Sequence, residues 1–330
     1  MILADYREDI KNILLKEKNI ILRGAPGTGK TYLAHEIASI LVGSKKDERD
    51  RIGFVQFHPG YDYTDFVEGI RPVQKNEKMG FELKSGIFME FVEKAIKSQF
   101  DDAWEEFLNA VKGAGPKGYN GVEGVNNLIP YEKKGDGVYV KESTTYLSKN
   151  QIYRVYRGLP GVKMGGHDSY RKHIVDKLKK SFFKNDKKYV FIIDEINRGE
   201  ISNIFGELFF SIDPNYRGDT QNAISTQYSN LHSNEDFKFF IPNNVYIIGT
   251  MNDIDRSVDT FDFAMRRRFS FIEVTAEESA AHMLKNEKLR SVVNKFNEII
   301  GKDLSRDYQI GASYFKVLDA SSDEKMICGI

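Results

Sequence analysis

One glycine-rich stretch has the residue types and spacing of a phosphate-binding loop. GAPGTGKT, Gly24 to Thr31, fits the pattern G-x-x-x-x-G-K-[ST], follows an apolar run of β type and opens a run of helical periodicity. Such glycines let backbone N–H groups turn toward phosphate oxygens, while Lys30 reaches the outer phosphates and the Thr31 hydroxyl ligates Mg²⁺. A glycine-rich turn that matches by chance is the alternative, and the strand and helix on either side argue against it. The residues expected to contact the nucleotide, ATP or GTP, are Gly24, Ala25, Pro26, Gly27, Thr28, Gly29, Lys30, Thr31 and Tyr32.

A second stretch, YVFIIDEIN, supplies two carboxylates directly after a buried strand. The carboxyl edge of a parallel sheet is where ligands bind in α/β proteins, so Asp194 and Glu195 are expected there. Asp194 would hold Mg²⁺ together with Thr31, and Glu195 would orient and polarise the water that attacks the γ-phosphate. A solvated acidic strand end is the alternative for any single Asp-Glu pair. The preceding phosphate-loop motif favours phosphoryl transfer to water.

The stretch IIGTMNDIDRS places a neutral amide where another buried strand ends. Asn252 would lie beside Asp194 and Glu195 and hydrogen-bond the γ-phosphate or the attacking water. A carboxylate at that position would repel the phosphate, which accounts for an Asn at the strand end with acids only after it.

Farther along, MRRRF brings Arg266, Arg267 and Arg268 together before an apolar strand. Charge that develops on the γ-phosphate needs cationic partners, and arginines meet that need. Three adjacent arginines cannot all reach one phosphate, so at least one is expected to make structural ion pairs. A solvated basic cluster is the alternative.

The elements that must position these residues alternate between helix and strand. Residues 2–18 show helical spacing, and NIILRG, KTYLAHEIASILVG and RIGFVQFHP then predict strand, helix and strand. After a short helix, the hairpin RPVQKNEKMGFELKSG precedes the helix IFMEFVEKAIKSQF, so a hairpin splits one helix in two. Strands at YVFII and VYIIGTMN continue the alternation, which predicts an α/β fold with a parallel sheet.

Residues 101–187 interrupt this rhythm. DDAWEEFLNAVKG predicts a helix, GVYVKESTTYLSKNQIYRVYRG predicts β-structure, and DSYRKHIVDKLKKSFFK predicts a basic amphipathic helix. The basic helix and the segment QIYRVYRG, which interleaves aromatic residues with arginines, have residue types that could bind a nucleic-acid backbone. A solvated helix face, with Ile174, Leu178, Phe182 and Phe183 packed inward, is the preferred interpretation. The expected domains are the first half of the core (1–100), an inserted α+β subdomain (101–187), the second half of the core (188–274) and a helical lid (275–330).

Composition excludes several classes of protein. The 48 basic and 48 acidic side chains cancel, so no whole-chain field favours nucleic acid or membrane. A single cysteine, Cys328, excludes an internal disulfide and zinc-site spacing, and no apolar run approaches the roughly 20 residues that span a bilayer. A soluble protein in a cytoplasmic location, without membrane contact, is the expectation.

Taken in order, the motifs resemble the McrB family of AAA+ NTPases. The resemblance is carried by GAPGTGKT, FVQFHPGYDYTDFVEGIRP, FIIDEINRG, GTMNDIDRSVDTFDFAMRRRF and YQIGASYF, and MNxxDRS is its most specific part. It covers roughly residues 1 to 100 and 188 to 316. It implies a P-loop AAA+ αβα parallel sheet with a small C-terminal helical lid, in the branch whose second helix carries an insert. That branch also contains MoxR-type and dynein-related ATPases.

The resemblance assigns further roles. Asn252 would be the sensor-1 residue, and Asp255 and Arg256, with Asp262 as a partner, would organise a subunit interface. Arg267 and Arg268 match trans-acting finger positions, which implies a ring, a hexamer in modules of this type. It also implies a nuclease subunit or another effector as partner and a role in anti-phage DNA restriction. DNA could be bound through that partner or through the basic residues of the insert.

Some features depart from the family. The family usually has His where this chain has Ala312, fewer than thirty residues precede the P-loop, and the chain stops soon after IGASYF, which suggests a fragment or a shortened lid. Two other functions therefore stay open: a MoxR-like or dynein-related ATPase that remodels a protein partner, and a nucleotide-binding assembly factor with little turnover.

Overall fold

The computed structural model describes residues 2–75, 78–131, 136–184, 187–218, 220–232, 237–254 and 263–319 of the 330-residue chain. Its strands are β1 Asn19–Gly24, β2 Ile52–Gln56, β3 Glu68–Lys75, β4 Lys78–Ser85, β5 Leu128–Pro130, β6 Gly137–Val140, β7 Thr145–Ser148, β8 Tyr189–Asp194, β9 Val245–Asn252 and β10 Ser270–Glu273. Its α-helices are α1 Ile2–Glu17, α2 Lys30–Val42, α3 Glu48–Arg51, α4 Tyr63–Phe66, α5 Ile87–Gly113, α6 Lys149–Tyr156, α7 Asp168–Ser181, α8 Ile201–Phe205, α9 Leu208–Ser211, α10 Phe263–Arg266, α11 Ala276–Met283, α12 Glu287–Asp303 and α13 Lys316–Asp319. Within these ranges, no helix is both long enough and apolar enough to cross a membrane.

A five-stranded parallel sheet forms the centre of the fold, in the order β10-β1-β9-β8-β2. Its inner strands are apolar on both faces because helices cover both sides. Ile21, Phe191 and Ile247 pack into one hydrophobic cluster with α5 and α8, whereas Ile20 and Ile192 pack into another with α1 and α2. This αβα layering confirms the predicted fold class.

The predicted split helix is present. Its first part is the short α4, begun by Asp62, whose side chain accepts hydrogen bonds from the backbone N–H groups of Thr64 and Asp65. The antiparallel hairpin β3–β4 follows, and then α5 continues for 27 residues without a break. The domain boundary expected after residue 100 therefore falls inside one helix, because Phe100, Ala103 and Trp104 keep a continuous buried face across it.

Residues 114–131 and 136–184 contain the elements that pack against the C-terminal half of α5. They contain a three-stranded antiparallel sheet, β5–β7, and the helices α6 and α7. The expectation of β-structure throughout residues 137–158 is wrong after Ser148, where α6 begins. Ser148 and Gln151 form a reciprocal capping box, and Ile152 and Tyr156, four residues apart, bury the inner face of that helix.

Two helices, α11 and α12, and the short 3₁₀ segment Ala312–Phe315 form a small C-terminal layer. Its apolar core contains Ala280, Leu289, Val293 and Ala312. We call residues 275–319 the lid.

Candidate nucleotide-binding site

The site lies at the carboxyl edge of the central sheet, where three neighbouring strands end. Gly24 at the end of β1 pairs in register with Asn252 at the end of β9, and Asp194 ends β8 on the other side of β9. The sequence predictions for Gly24 to Thr31, Asp194, Glu195 and Asn252 all fall at this edge. Parallel strand order brings them together although they are far apart in the chain.

Lys30 is almost fully buried, with 6% of its surface exposed, and is surrounded by neutral oxygen atoms. Its Nζ donates to the backbone O of Gly24 at 3.0 Å, to the backbone O of Ala25 at 2.8 Å and to Asn252 Oδ1 at 2.8 Å. Burial lowers the pKa of Lys30 to about 8, and the carboxylates of Glu195, Asp253 and Asp194 oppose that shift. Among the described residues no carboxylate oxygen contacts Lys30 Nζ, so neutral oxygens alone surround the ammonium.

Thr31 and Asp194 meet where Mg²⁺ was predicted. Thr31 Oγ1 donates to Asp194 Oδ1 at 2.6 Å, and Thr250 Oγ1 donates to the same oxygen at 2.6 Å. A hydroxyl and a carboxylate are hard oxygen donors of the kind Mg²⁺ takes when phosphates and water complete its octahedron, so the residues fit the ion. Among the described residues there is no separate cluster of three or more His, Cys, Asp or Glu side chains for another metal.

Glu195 and Asn252 are in direct contact. Asn252 Nδ2 donates to both carboxylate oxygens of Glu195, at 2.7 and 2.9 Å, while its Oδ1 accepts from Lys30. Glu195 has φ 53°, a left-handed conformation that costs a non-glycine residue about 1–3 kcal/mol. Arg198 Nε lies 3.3 Å from Glu195 Oε2. Asn252 thus links the phosphate-binding lysine to the expected catalytic carboxylate.

A sequence model of the AAA domain, dynein-related subfamily, matches residues 19–111 and 136–269. The chain belongs to this family. The match includes the phosphate-binding loop, both acids, Asn252 and the three arginines, so the predicted P-loop NTPase class is confirmed. Its gap, residues 112–135, lies within the segment expected to be an insert.

Two curated relatives are subunits of restriction enzymes. The chain is 31% identical over 322 residues to the type IV methyl-directed restriction enzyme EcoKMcrB subunit of Escherichia coli K12, covering 93% of this chain and 49% of that protein. It is 25% identical over 260 residues to the type II restriction enzyme BsuMI component YdiS of Bacillus subtilis 168, covering 77% of this chain and 56% of that protein. The chain therefore spans about half the length of these relatives, and the predicted relation of this AAA domain to McrB is confirmed.

The arginines of the AAA domain occupy different environments. Arg266 and Arg267 are exposed, whereas the Arg268 guanidinium lies 4.8 Å from the centre of the Phe209 ring of its own chain. The backbone O of Arg268 accepts a hydrogen bond from the side chain of Asn19, the first residue of β1. Arg267 is thus exposed on a segment that is bonded to the sheet at Arg268.

Several supporting residues were not predicted. Thr250 lies two residues before Asn252 and on the same face of β9; a hydroxyl residue inside an apolar strand was the available signal. Its Oγ1 accepts from the backbone N–H of Glu195 at 3.2 Å, which fixes that residue's position. Fully buried Arg217 donates to Asn19 Oδ1 and supports the β1 start, a contact that no local pattern indicates.

The arginines considered for nucleic-acid contact make contacts within the chain, whereas Lys172, Lys180 and Lys184 of the basic segment are exposed. Arg157 is buried and its Nη2 donates to Glu93 Oε1 at 2.8 Å, and Arg171 is buried beside Asp168. Arg154 donates to the backbone O of Pro160. The inward packing of Ile174, Leu178, Phe182 and Phe183 is confirmed. These contacts favour the structural interpretation of QIYRVYRG and α7.

The predicted interface residues Asp255, Arg256 and Asp262 lie outside the described residues.

Proposed function

We propose that this chain binds ATP or GTP with Mg²⁺ and hydrolyses it between subunits of a ring, as the motor of a DNA restriction system. The observation that carries the hydrolytic part is the chain of contacts from Lys30 through Asn252 to Glu195, beside the Thr31–Asp194 pair. A phosphate-binding cation, an oxygen pair for Mg²⁺ and a carboxylate for water lie at one sheet edge. Few reactions other than phosphoryl transfer use all three of these groups together.

Each residue has a distinct part in this reaction. Bound Mg²⁺ would neutralise phosphate charge, held through Thr31 and Asp194. The Lys30 ammonium would exchange its neutral oxygen partners for phosphate oxygens. Asn252 Oδ1 accepts from Lys30 and its Nδ2 donates to Glu195, so movement of Lys30 onto phosphate would free Asn252 Oδ1 and leave Nδ2 on the carboxylate. Glu195 could then accept a proton from the attacking water while its left-handed backbone keeps it aimed at the site.

The exposed Arg267 supports catalysis across a subunit boundary. An exposed arginine can stabilise transition-state charge in a neighbouring site, and such fingers contribute about 10³ to 10⁵ in rate. A closed ring gives every site one such neighbour, and the resemblance to AAA+ modules implies that the ring is a hexamer. Arg268, packed on Phe209, would hold the segment in place. It also matches a finger position of the motif and is therefore a second candidate.

Phosphate release from ATP and from GTP tests the hydrolytic proposal. Wild type should release phosphate only with Mg²⁺, and Glu195→Gln should bind the same nucleotide while turnover falls by about 10² to 10⁴. Equal turnover by wild type and Glu195→Gln would refute hydrolysis and leave an assembly factor that binds without turnover.

Mixing inactive variants tests the ring. Lys30→Ala subunits keep Arg267, and Arg267→Ala subunits keep a complete nucleotide site, so mixed assemblies should regain part of the wild-type rate. Confirmed mixed assemblies without activity would rule out a finger acting in trans.

A nuclease partner is proposed from the relatives, both of which are restriction-enzyme components. The product of a neighbouring nuclease gene should bind the assembled chain and raise its turnover, more so with DNA. If the partner copurifying with it is not a nuclease and turnover instead follows a protein substrate, a remodelling ATPase is the correct description.

A further inference from the structure

The lid touches the phosphate-binding loop through backbone hydrogen bonds. The N–H of Gly311 donates to the backbone O of Pro26 at 3.0 Å, and the N–H of Ser313 donates to the backbone O of Gly27 at 3.1 Å. Both acceptors belong to the loop that begins at Gly24. We call residues 309–313 the strut.

The fit between the strut and the loop leaves no room for a side chain at Gly311. Its φ is −71°, which any residue adopts, so conformational freedom is not the reason for glycine there. A Cβ at Gly311 would lie 2.0 Å from Gly27 C and 2.1 Å from Thr28 N. The strut therefore packs directly on the peptide bond that joins Gly27 to Thr28.

Peptide geometry converts these contacts into an orientation of the loop. In a planar trans peptide the C=O and the following N–H point in opposite directions. When Gly311 holds the C=O of Pro26, the N–H of Gly27 points away from the lid. When Ser313 holds the C=O of Gly27, the N–H of Thr28 points away from the lid as well. Inward-turned N–H groups of this loop are what bind phosphate oxygens.

The strut is itself anchored to both lid helices. Asn297 of α12 donates to the backbone O of Ile310 at 2.9 Å and accepts from its N–H at 2.7 Å. Ser279 of α11 accepts from the N–H of Ala312 at 3.2 Å. Asn297, Ser279 and Ala312 are all buried. The side chain of Ala312 thus lies in the lid core.

We propose that the strut positions the phosphate-binding loop: Gly311 and Ser313 fix two carbonyls so that the N–H groups of Gly27 and Thr28 are ready for phosphate, and Asn297 holds the strut in register. This proposal rests on the proposed nucleotide-binding function. Gly311 and Asn297 are positioning residues, because they act through the loop. The site's affinity for phosphate then depends on lid placement in the same chain.

Calorimetric titration of the full chain with Mg²⁺-nucleotide and with Mg²⁺-tripolyphosphate, which has neither base nor sugar, tests the proposal. Gly311→Ala should bind both ligands at least about tenfold more weakly, since hydrogen bonds to charged groups are each worth that much. Asn297→Asp keeps the acceptor for the Ile310 N–H and loses the donor, so its loss should be smaller. The matched control is Gly113→Ala, where nothing lies within 4 Å of a new Cβ, and it should bind like wild type.

The two ligands separate the outcomes. Equal weakening for both, with the thermal unfolding midpoint of Asn297→Asp near that of wild type, supports the strut. Wild-type affinity in both variants overturns it, and so does weakening confined to the nucleotide, because the lid would then act on base or sugar. If wild type binds neither ligand, the proposed function itself fails. If Gly311→Ala does not fold, Asn297→Asp alone decides between these results.

Discussion

Two regions of this molecule bury charged side chains, and the partners that surround the charge differ between them. In the nucleotide site, Lys30 is bonded to neutral oxygens of Gly24, Ala25 and Asn252, and its pKa is lowered to about 8 by burial. Within the 101–187 segment, Arg157 faces Glu93 of α5; burial alone would lower the pKa of Arg157, but the carboxylate outweighs that effect and raises it. At Lys30 the neutral partners leave a charge that a phosphate can neutralise, whereas the Arg157–Glu93 pair is complete without a ligand.

Substitutions of Arg267 and Arg268 are expected to give the largest effect, which is a change in turnover. Arg267→Ala should lower turnover by about 10³ or more without changing the free energy of unfolding, because the side chain is exposed and would act on another subunit. Steady-state phosphate release of the assembled protein and chemical denaturation measure the two quantities.

Arg268→Ala is the comparison for that variant. Loss of its contact with Phe209 should reduce stability by about 0.5–2 kcal/mol. A variant pair with equal losses of turnover and no loss of stability would show that both arginines reach the neighbouring site.

Breaking the ion pair between Arg157 and Glu93 of α5 is expected to have the next largest effect. Arg157→Leu leaves Glu93 without its main partner and removes a guanidinium that lies 5.4 Å from the Phe237 ring centre and 5.5 Å from that of Phe240. Loss of one member of a buried pair costs about 3–5 kcal/mol. Urea unfolding should show that loss, while nucleotide affinity stays at the wild-type value.

Glu93→Gln is the milder control, since it keeps the shape and a hydrogen-bond acceptor. Weaker nucleotide binding in either variant, with the fold intact, would indicate that this pair is part of the functional site after all.

The location of the site could be predicted from the sequence because its residues stand at the ends of buried strands. Asp194 and Asn252 stand where apolar runs stop, and parallel strand order places such ends side by side. The contacts between them were not predictable: the bond from Asn252 to Glu195 depends on the left-handed backbone at Glu195, and glutamate carries no local signal for that conformation.

The β-structure predicted for QIYRVYRG is wrong for a local reason. The segment is rich in aromatic and β-branched residues, yet the Ser148 cap and the four-residue interval between Ile152 and Tyr156 select a helix. The boundary expected after residue 100 rests on the interruption of the helix–strand alternation. The buried face of α5 continues through that point unchanged.

The pH dependence of nucleotide affinity tests whether Lys30 binds phosphate as a charged ammonium. Its ammonium is the form that binds phosphate, so affinity should be constant below pH 8 and fall as pH rises through the pKa of about 8, by up to about tenfold per pH unit. Terminal phosphates are already ionised there, with a second pKa near 6, so the ligand contributes little. Titration calorimetry between pH 7 and 9.5 measures the slope.

Lys30→Arg separates this cause from general effects of alkali, because a guanidinium stays charged throughout the range. Its affinity should be lower at pH 7 and independent of pH. A wild-type affinity that is also flat to pH 9.5 would mean that Lys30 keeps its proton despite its burial.

The smallest effect is expected at the surface of the 101–187 segment, where pairing contributes little because solvent screens it. Lys184 Nζ lies 2.7 Å from Glu106 Oε1 and Lys187 Nζ lies 2.7 Å from Asp102 Oδ2, and all four side chains are about half exposed. Lys184→Ala and Lys187→Ala should each change the free energy of unfolding by less than about 1 kcal/mol and leave turnover unchanged. If either substitution instead abolished stimulation of turnover by DNA, these lysines would belong with Lys30, as cations kept for an anionic partner rather than for the fold.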